Sequence, residues 1–94
     1  MPPRHGRRDR NHAAIRDGLR GIIGKSAVAD TADVRRGFPD LVAGWKGRTY
    51  MFEVKMPGEP LTPDEVRFRD SWPGHYAVVY TLQDALAELG LAFR

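Results

Sequence analysis

Apolar side chains recur at Ile15, Leu19, Ile22 and Ile23, a spacing that predicts a helix over about 11–23, with Gly24 placed to end it in a left-handed cap. Ala27-Val28-Ala29 predicts a short strand, and Thr31 to Gly37 a loop carrying Arg35 and Arg36. Leu41 to Trp45 and Arg48 to Lys55 are rich in β-branched and aromatic residues, and Lys46-Gly47 between them is a hairpin signal. Pro57-Gly58-Glu59-Pro60 breaks the second of these strands. A helix start follows: Thr62 is the N-cap, Pro63 suits the first helical position, Glu65 closes a capping box, and Leu61 can staple to Val66. That helix runs to about Trp72, where Pro73-Gly74 stops it. Tyr76 to Tyr80 is a compact strand, and Thr81 caps a last helix with Leu82, Ala85, Leu86 and Leu89 on one face, ended by Gly90. Helix, short strand, hairpin, helix, strand and helix make an α/β sandwich with a mixed sheet of about four strands and no internal repeat.

The 94 residues suffice for one core, so a single domain over 11–94 is expected behind a basic flexible arm over 1–10. The arm, MPPRHGRRDR, holds four arginines, two prolines and one glycine and has no apolar periodicity. No apolar run approaches the roughly 18 residues of a membrane span, and no apolar stretch follows Met1-Pro2-Pro3-Arg4 to form a signal peptide. The expectation is a cytoplasmic protein without a membrane partner. There is no cysteine, which excludes a disulfide framework and a thiolate zinc site. The formal net charge is +3 and the sequence pI is near 9.7. Arginine, whose planar fork pairs with phosphate oxygens, contributes most of the positive charge.

The chemistry is concentrated in the hairpin. If Lys46-Gly47 is a two-residue turn, Trp45 pairs with Arg48, and counting back along both strands sets Asp40 opposite Glu53. Lys55, two residues further on, shares the face of Glu53. A four-residue turn would oppose Asp40 to Met51 and keep the shared face, whereas a three-residue turn would need a bulge to restore it. Facing carboxylates repel, and a hard divalent cation such as magnesium relieves this by taking their oxygens as ligands. It can then polarise a phosphate and acidify a water, with Lys55 orienting that water or offsetting charge on the phosphorane. The plain alternative makes Asp40 a turn residue after Pro39, and Glu53 and Lys55 the exposed face of an edge strand.

Gly37-Phe38-Pro39-Asp40-Leu41-Val42, Gly47-Arg48-Thr49, Phe52-Glu53-Val54-Lys55 and Leu61-Thr62-Pro63-Asp64-Glu65 with Phe68 and Trp72 together resemble the VRR-NUC group of PD-(D/E)XK nucleases. The likeness is to its short stand-alone phage and bacterial members, often described as Holliday-junction-resolvase-like. Asp9-Arg10-Asn11-His12 resembles their N-terminal signature, so the similarity covers nearly the whole chain. The resemblance implies a restriction-endonuclease-like fold, dependence on Mg2+ or Mn2+, catalytic roles for Asp40, Glu53 and Lys55, and a metal contact from the Val54 backbone carbonyl. Two departures stand out. Relatives commonly have glutamine where this chain has Glu65, and many carry a glutamate on the first helix, where Asp9, Asn11 and Asp17 are the candidates here. Glu65 shares a helical face with Phe68 and Trp72, so it can line the hairpin as well as close the capping box.

DNA contacts are expected from Arg4, Arg7, Arg8 and Arg10, in an arm that orders on binding, and from Arg35 and Arg36 beside the hairpin. His5, His12 and His75 have no spacing that suggests a metal site, and His12 is near the site only by resemblance. Trp45, Tyr50 and Trp72 are expected in the core or an interface. The expected function is metal-dependent hydrolysis of DNA phosphodiester bonds, with branched DNA such as a four-way junction as a substrate. A homodimer is expected because Trp45, Tyr50, Trp72 and Phe93 are generous for so thin a core, and a twofold dimer places one site on each of two strands. The alternatives are a non-catalytic nucleic-acid-binding module on the same fold and a small interaction domain of a phage or mobile element.

Overall fold

A computed structural model describes residues 9–91. Eight pieces of regular structure follow one another: α1 (His12–Ile23), a 3-10 turn (Lys25–Ala27), β1 (Val28–Asp30), β2 (Leu41–Trp45), β3 (Arg48–Val54), α2 (Pro63–Ser71), β4 (Tyr76–Val79) and α3 (Leu82–Glu88). The strands form one sheet in the order β1-β2-β3-β4, antiparallel except for the parallel pair β3 and β4. A parallel neighbour requires a crossover, and α2 supplies it. The result is the expected mixed α/β arrangement, four strands flanked by three helices, and it is compatible with a restriction-endonuclease-like core. No helix among the described residues is long and apolar enough to cross a membrane.

Alternation along β3 divides the molecule. Tyr50, Phe52 and Val54 join Ile15 and Leu19 of α1 and Ala85 and Leu86 of α3 in the apolar core. Met51, Glu53 and Lys55 therefore project from the opposite face, toward α2. Both capping boxes are formed: Thr62 with Glu65 on α2, and Thr81 with Asp84 on α3. Replacing Thr62 by alanine leaves the Glu65 N–H without its side-chain acceptor and is expected to lower stability by about 1 kcal/mol in denaturant unfolding.

Several expectations need correction. Gly24 has φ 110° and ψ 144°, so it does not close α1 in the left-handed helical well; the positive φ instead turns the chain directly into the 3-10 turn. That turn absorbs Ala27 and shifts β1 one residue later than expected. Ile22 is 43% exposed, because the stripe of α1 that meets the sheet is narrow and Ile15, Leu19 and Ile23 fill it. Tyr50 is buried in the core and Trp45 packs against it, as expected, while Trp72 is 37% exposed and stacked on Phe68. Arg4, His5, Arg7, Arg8 and Phe93 lie outside the described residues.

Candidate active site

The hairpin turn is a two-residue one, with Lys46 at φ 51° and Gly47 at φ 80°, the positive values that match the twist of paired strands. Trp45 pairs with Arg48, and the register holds down to Leu41 opposite Phe52. At the next residue the plain ladder stops. Asp40 N–H donates to the Phe52 carbonyl at 3.0 Å, and the Val54 N–H donates to the Asp40 carboxylate at 2.8 Å. The Asp40 side chain thus takes the bond that a longer β2 backbone would have made, and it stands within hydrogen-bonding reach of Glu53.

β3 is an interior strand, and Glu53 is 1% exposed and Lys55 5%. The plain alternative of an exposed edge face is therefore overturned. Burial, a hydrogen bond with Asp40 and the charges of Asp40 and Glu65 push the Glu53 carboxyl far above the usual carboxylate range, to about 11, with Lys55 opposing. One oxygen, Oε1, is buried and receives no hydrogen bond. Lys55 Nζ lies 2.7 Å from Glu65 and 3.6 Å from Glu59. Burial alone would lower the Lys55 pKa, but the bond and charge of Glu65, with Glu59 and Glu53 behind it, raise it and keep the ammonium charged. Glu65 moves the other way: burial opposes ionisation, and bonds from Lys55 and the Thr62 N–H more than offset it. Glu65 thus serves the capping box and the site together.

The three candidates around the first helix separate clearly. Asp9 faces the acids: burial, then the charge and bond of Glu59, raise its pKa to about 6, with Lys55 opposing. Asn11 supports the strands, its amide donating to the Lys55 carbonyl at 3.1 Å and the Tyr80 carbonyl at 2.7 Å, while its Oδ1 is buried without a donor. Asp17 is exposed and pairs with Arg16 at 2.8 Å. His12 is buried and bonds Asp30 at 3.1 Å, joining α1 to β1 rather than facing the acids. Arg16 and the Ala32 N–H also bond Asp30, and with His12 they outweigh its burial and hold its pKa near 2.

Sequence reasoning missed Glu59 and Tyr76. Glu59 is four residues past Lys55 in the turn after β3, a short-range signal that was readable. Tyr76 is brought alongside by the parallel register, Met51 opposite Tyr76, which no local signal encodes. Its ring packs on Phe68 of α2 at 5.9 Å, and its hydroxyl is buried with no hydrogen-bond partner. Burial, then the charges of Glu53 and Glu65, raise its pKa.

A cleft of about 260 Å³ opens over Asp40 and Glu65, walled by Ala32, Arg35, Arg36, Gly37 and Phe38. Gly37, at φ 85°, lets this wall approach α2: a Cβ there would meet the Asp64 carbonyl oxygen at 2.8 Å. Arg10, Arg35 and Arg36 are exposed, the last two at the cleft mouth.

Among the described residues no group of three or more His, Asp or Glu side chains is arranged to hold a metal ion. A hard cation asks for less, since magnesium binds through one or two carboxylates and keeps several waters. Asp40 and Glu53 supply two facing carboxylates, and the donor-free Glu53 Oε1 is an acceptor lacking a positive partner, so the residues fit such an ion. No family model, no curated protein and no solved structure matches the chain.

Proposed function

We propose that the chain is a metal-dependent DNA endonuclease of the PD-(D/E)XK type, in the VRR-NUC group, of phage or bacterial origin and acting in the cytoplasm of the host cell. The observation that carries the proposal is Glu53: a carboxyl buried against Asp40, with one oxygen lacking any donor, beside a lysine held charged. A binding module gains nothing from burying acids where phosphates must approach, and the arrangement disfavours that alternative.

Asp40 and Glu53, with the Val54 carbonyl that the resemblance implies, would hold Mg2+ or Mn2+, which when bound polarises a phosphate and acidifies water. Asp40 is oriented for this by the Val54 N–H. Lys55, fixed by Glu65, directs the attacking water or offsets charge on the phosphorane. Asp9 and Glu59 lie close to Lys55, and Asp9 takes the place of the first-helix acid. Arg35 and Arg36 meet the backbone beside the cut, and a branched substrate and a homodimer belong to the same proposal.

The test is a cleavage panel of single-stranded, duplex, flap and four-way-junction DNA with Mg2+ or Mn2+, comparing the wild type with Asp40→Asn. Metal-dependent nicking by the wild type and none by the variant is expected. Equal cutting by both removes Asp40 from the site. Light scattering checks the dimer, which requires a mass near twice 10.6 kDa.

A further inference from the structure

Next to the cleft over Asp40 lies a second cavity of about 170 Å³, bounded by Arg35, Arg36, Asp64, Arg67, Phe68 and Ser71. The two cavities share Arg35 and Arg36 but differ in chemistry. The first has Asp40 and Glu65 in its lining, and the second has neither. Three guanidinium groups surround it instead, opposed by the single carboxylate of Asp64.

The arginines are available. Asp64 pairs with Arg36 at 3.8 Å and with Arg67 in close contact, yet Arg36 and Arg67 side chains are 85% and 70% exposed. Such solvated pairs are weak and exchange readily for another anion. Arg35 has its guanidinium carbon over the Phe38 ring at 5.7 Å, a cation–π contact that sets the group at the wall of the pocket. Ser71 adds no donor, because its hydroxyl already donates to the Arg67 carbonyl at 2.8 Å. What remains is a pocket of positive charge and forked donors, suited to a phosphodiester, whose oxygens accept two parallel bonds from arginine.

Resting on the nuclease proposal, we infer that this pocket is a subsite for the backbone phosphate next to the one that is cut, with Arg67 its principal ligand. A strand with its scissile phosphate over Asp40 then passes one neighbouring phosphate between the 31–37 loop and α2. A further phosphodiester on that flank adds binding without being needed for the cut itself, which favours internal positions of a strand over a terminal one.

The experiment uses the full chain with a fluorescent oligodeoxynucleotide, in Ca2+ so that binding is read without turnover. Arg67→Ala is compared with Arg69→Ala, an exposed arginine on the same helix outside the pocket lining. Arg67→Ala is expected to weaken binding about tenfold and to reduce the slope of log K against log salt by about 0.7, one single-strand phosphate contact, while Arg69→Ala changes neither. Equal effects from both variants, or no DNA binding by the wild type, overturn the subsite. In Mn2+, hydrolysis of bis(p-nitrophenyl) phosphate, a diester with no neighbouring phosphate, is expected to be unchanged in Arg67→Ala. A parallel loss there assigns Arg67 to the cutting site and likewise overturns the inference. Failure of the wild type to cut either substrate in Mn2+ refutes the nuclease proposal separately, since the binding arm still decides the pocket.

Discussion

Replacing Glu53 with glutamine is expected to abolish metal-dependent cleavage and, in metal-free protein, to make the fold more resistant to alkali. On the proposed function, the first effect follows from removing one of the two carboxylates assigned to the metal, worth several kcal/mol of transition-state stabilisation, or roughly a thousandfold in rate. The second follows from proton linkage. In the metal-free fold the Glu53 carboxyl keeps its proton up to about 11, whereas in the unfolded chain it ionises near 4.5. The raised pKa contributes stability that is fully present below the unfolded value and is lost as pH rises through the folded one. Across that interval the unfolded state is favoured by up to about 1.4 kcal/mol per pH unit. Between pH 6 and pH 8 the wild type should therefore lose up to about 3 kcal/mol relative to Glu53→Gln. Urea unfolding in EDTA at the two pH values measures the difference, and parallel pH slopes would show that Glu53 is ionised in the fold.

On the proposed function, Lys55→Met is expected to slow single-turnover cleavage by about a hundred- to a thousandfold, because the charge proposed to act on the water or the phosphorane is lost. It should also destabilise the protein by up to about 3 kcal/mol, since the largely buried Glu65 keeps its charge and loses the ammonium at 2.7 Å. Glu65→Gln added to Lys55→Met separates the two roles. Glutamine still closes a capping box and carries no charge, so the double variant should recover most of the stability and none of the rate. Recovery of cleavage along with stability would show that Lys55 only supports the fold.

The parts of this molecule legible in the sequence are those written in neighbouring residues. Lys46-Gly47 specified its turn, and the turn set the register that carries Asp40 to Glu53. Thr62 and Thr81 announced their helices through capping boxes that both formed. What could not be read depends on residues distant along the chain. The parallel partner of β3 brings Tyr76 to the acids, and an apolar helix face gives no sign that His12 will find Asp30 on β1. The sequence does not separate Asp9 from Asn11 and Asp17, because the approach of Asp9 to Glu59 and Lys55 depends on residues some 50 positions away. The side-chain bond from Asp40 to the Val54 N–H replaced a ladder step that counting along strands had treated as ordinary.

The parallel pairing of β3 with β4 also implies an order of assembly. Asp40, Glu53 and Lys55 lie within one hairpin, a local structure that closes on the microsecond scale. The groups around them arrive later, because Glu65 comes with the crossover helix and the Asn11 amide spans 44 residues to Lys55 and 69 to Tyr80. Contacts of such separation form slowly, after loop-closure entropy has been overcome. An early hairpin is therefore expected to carry its two acids together in water, without the burial and partners that α2 and α1 bring. Burial of the candidate site and completion of the fold become one event, and a partly synthesised or half-folded chain has the motif without the buried site.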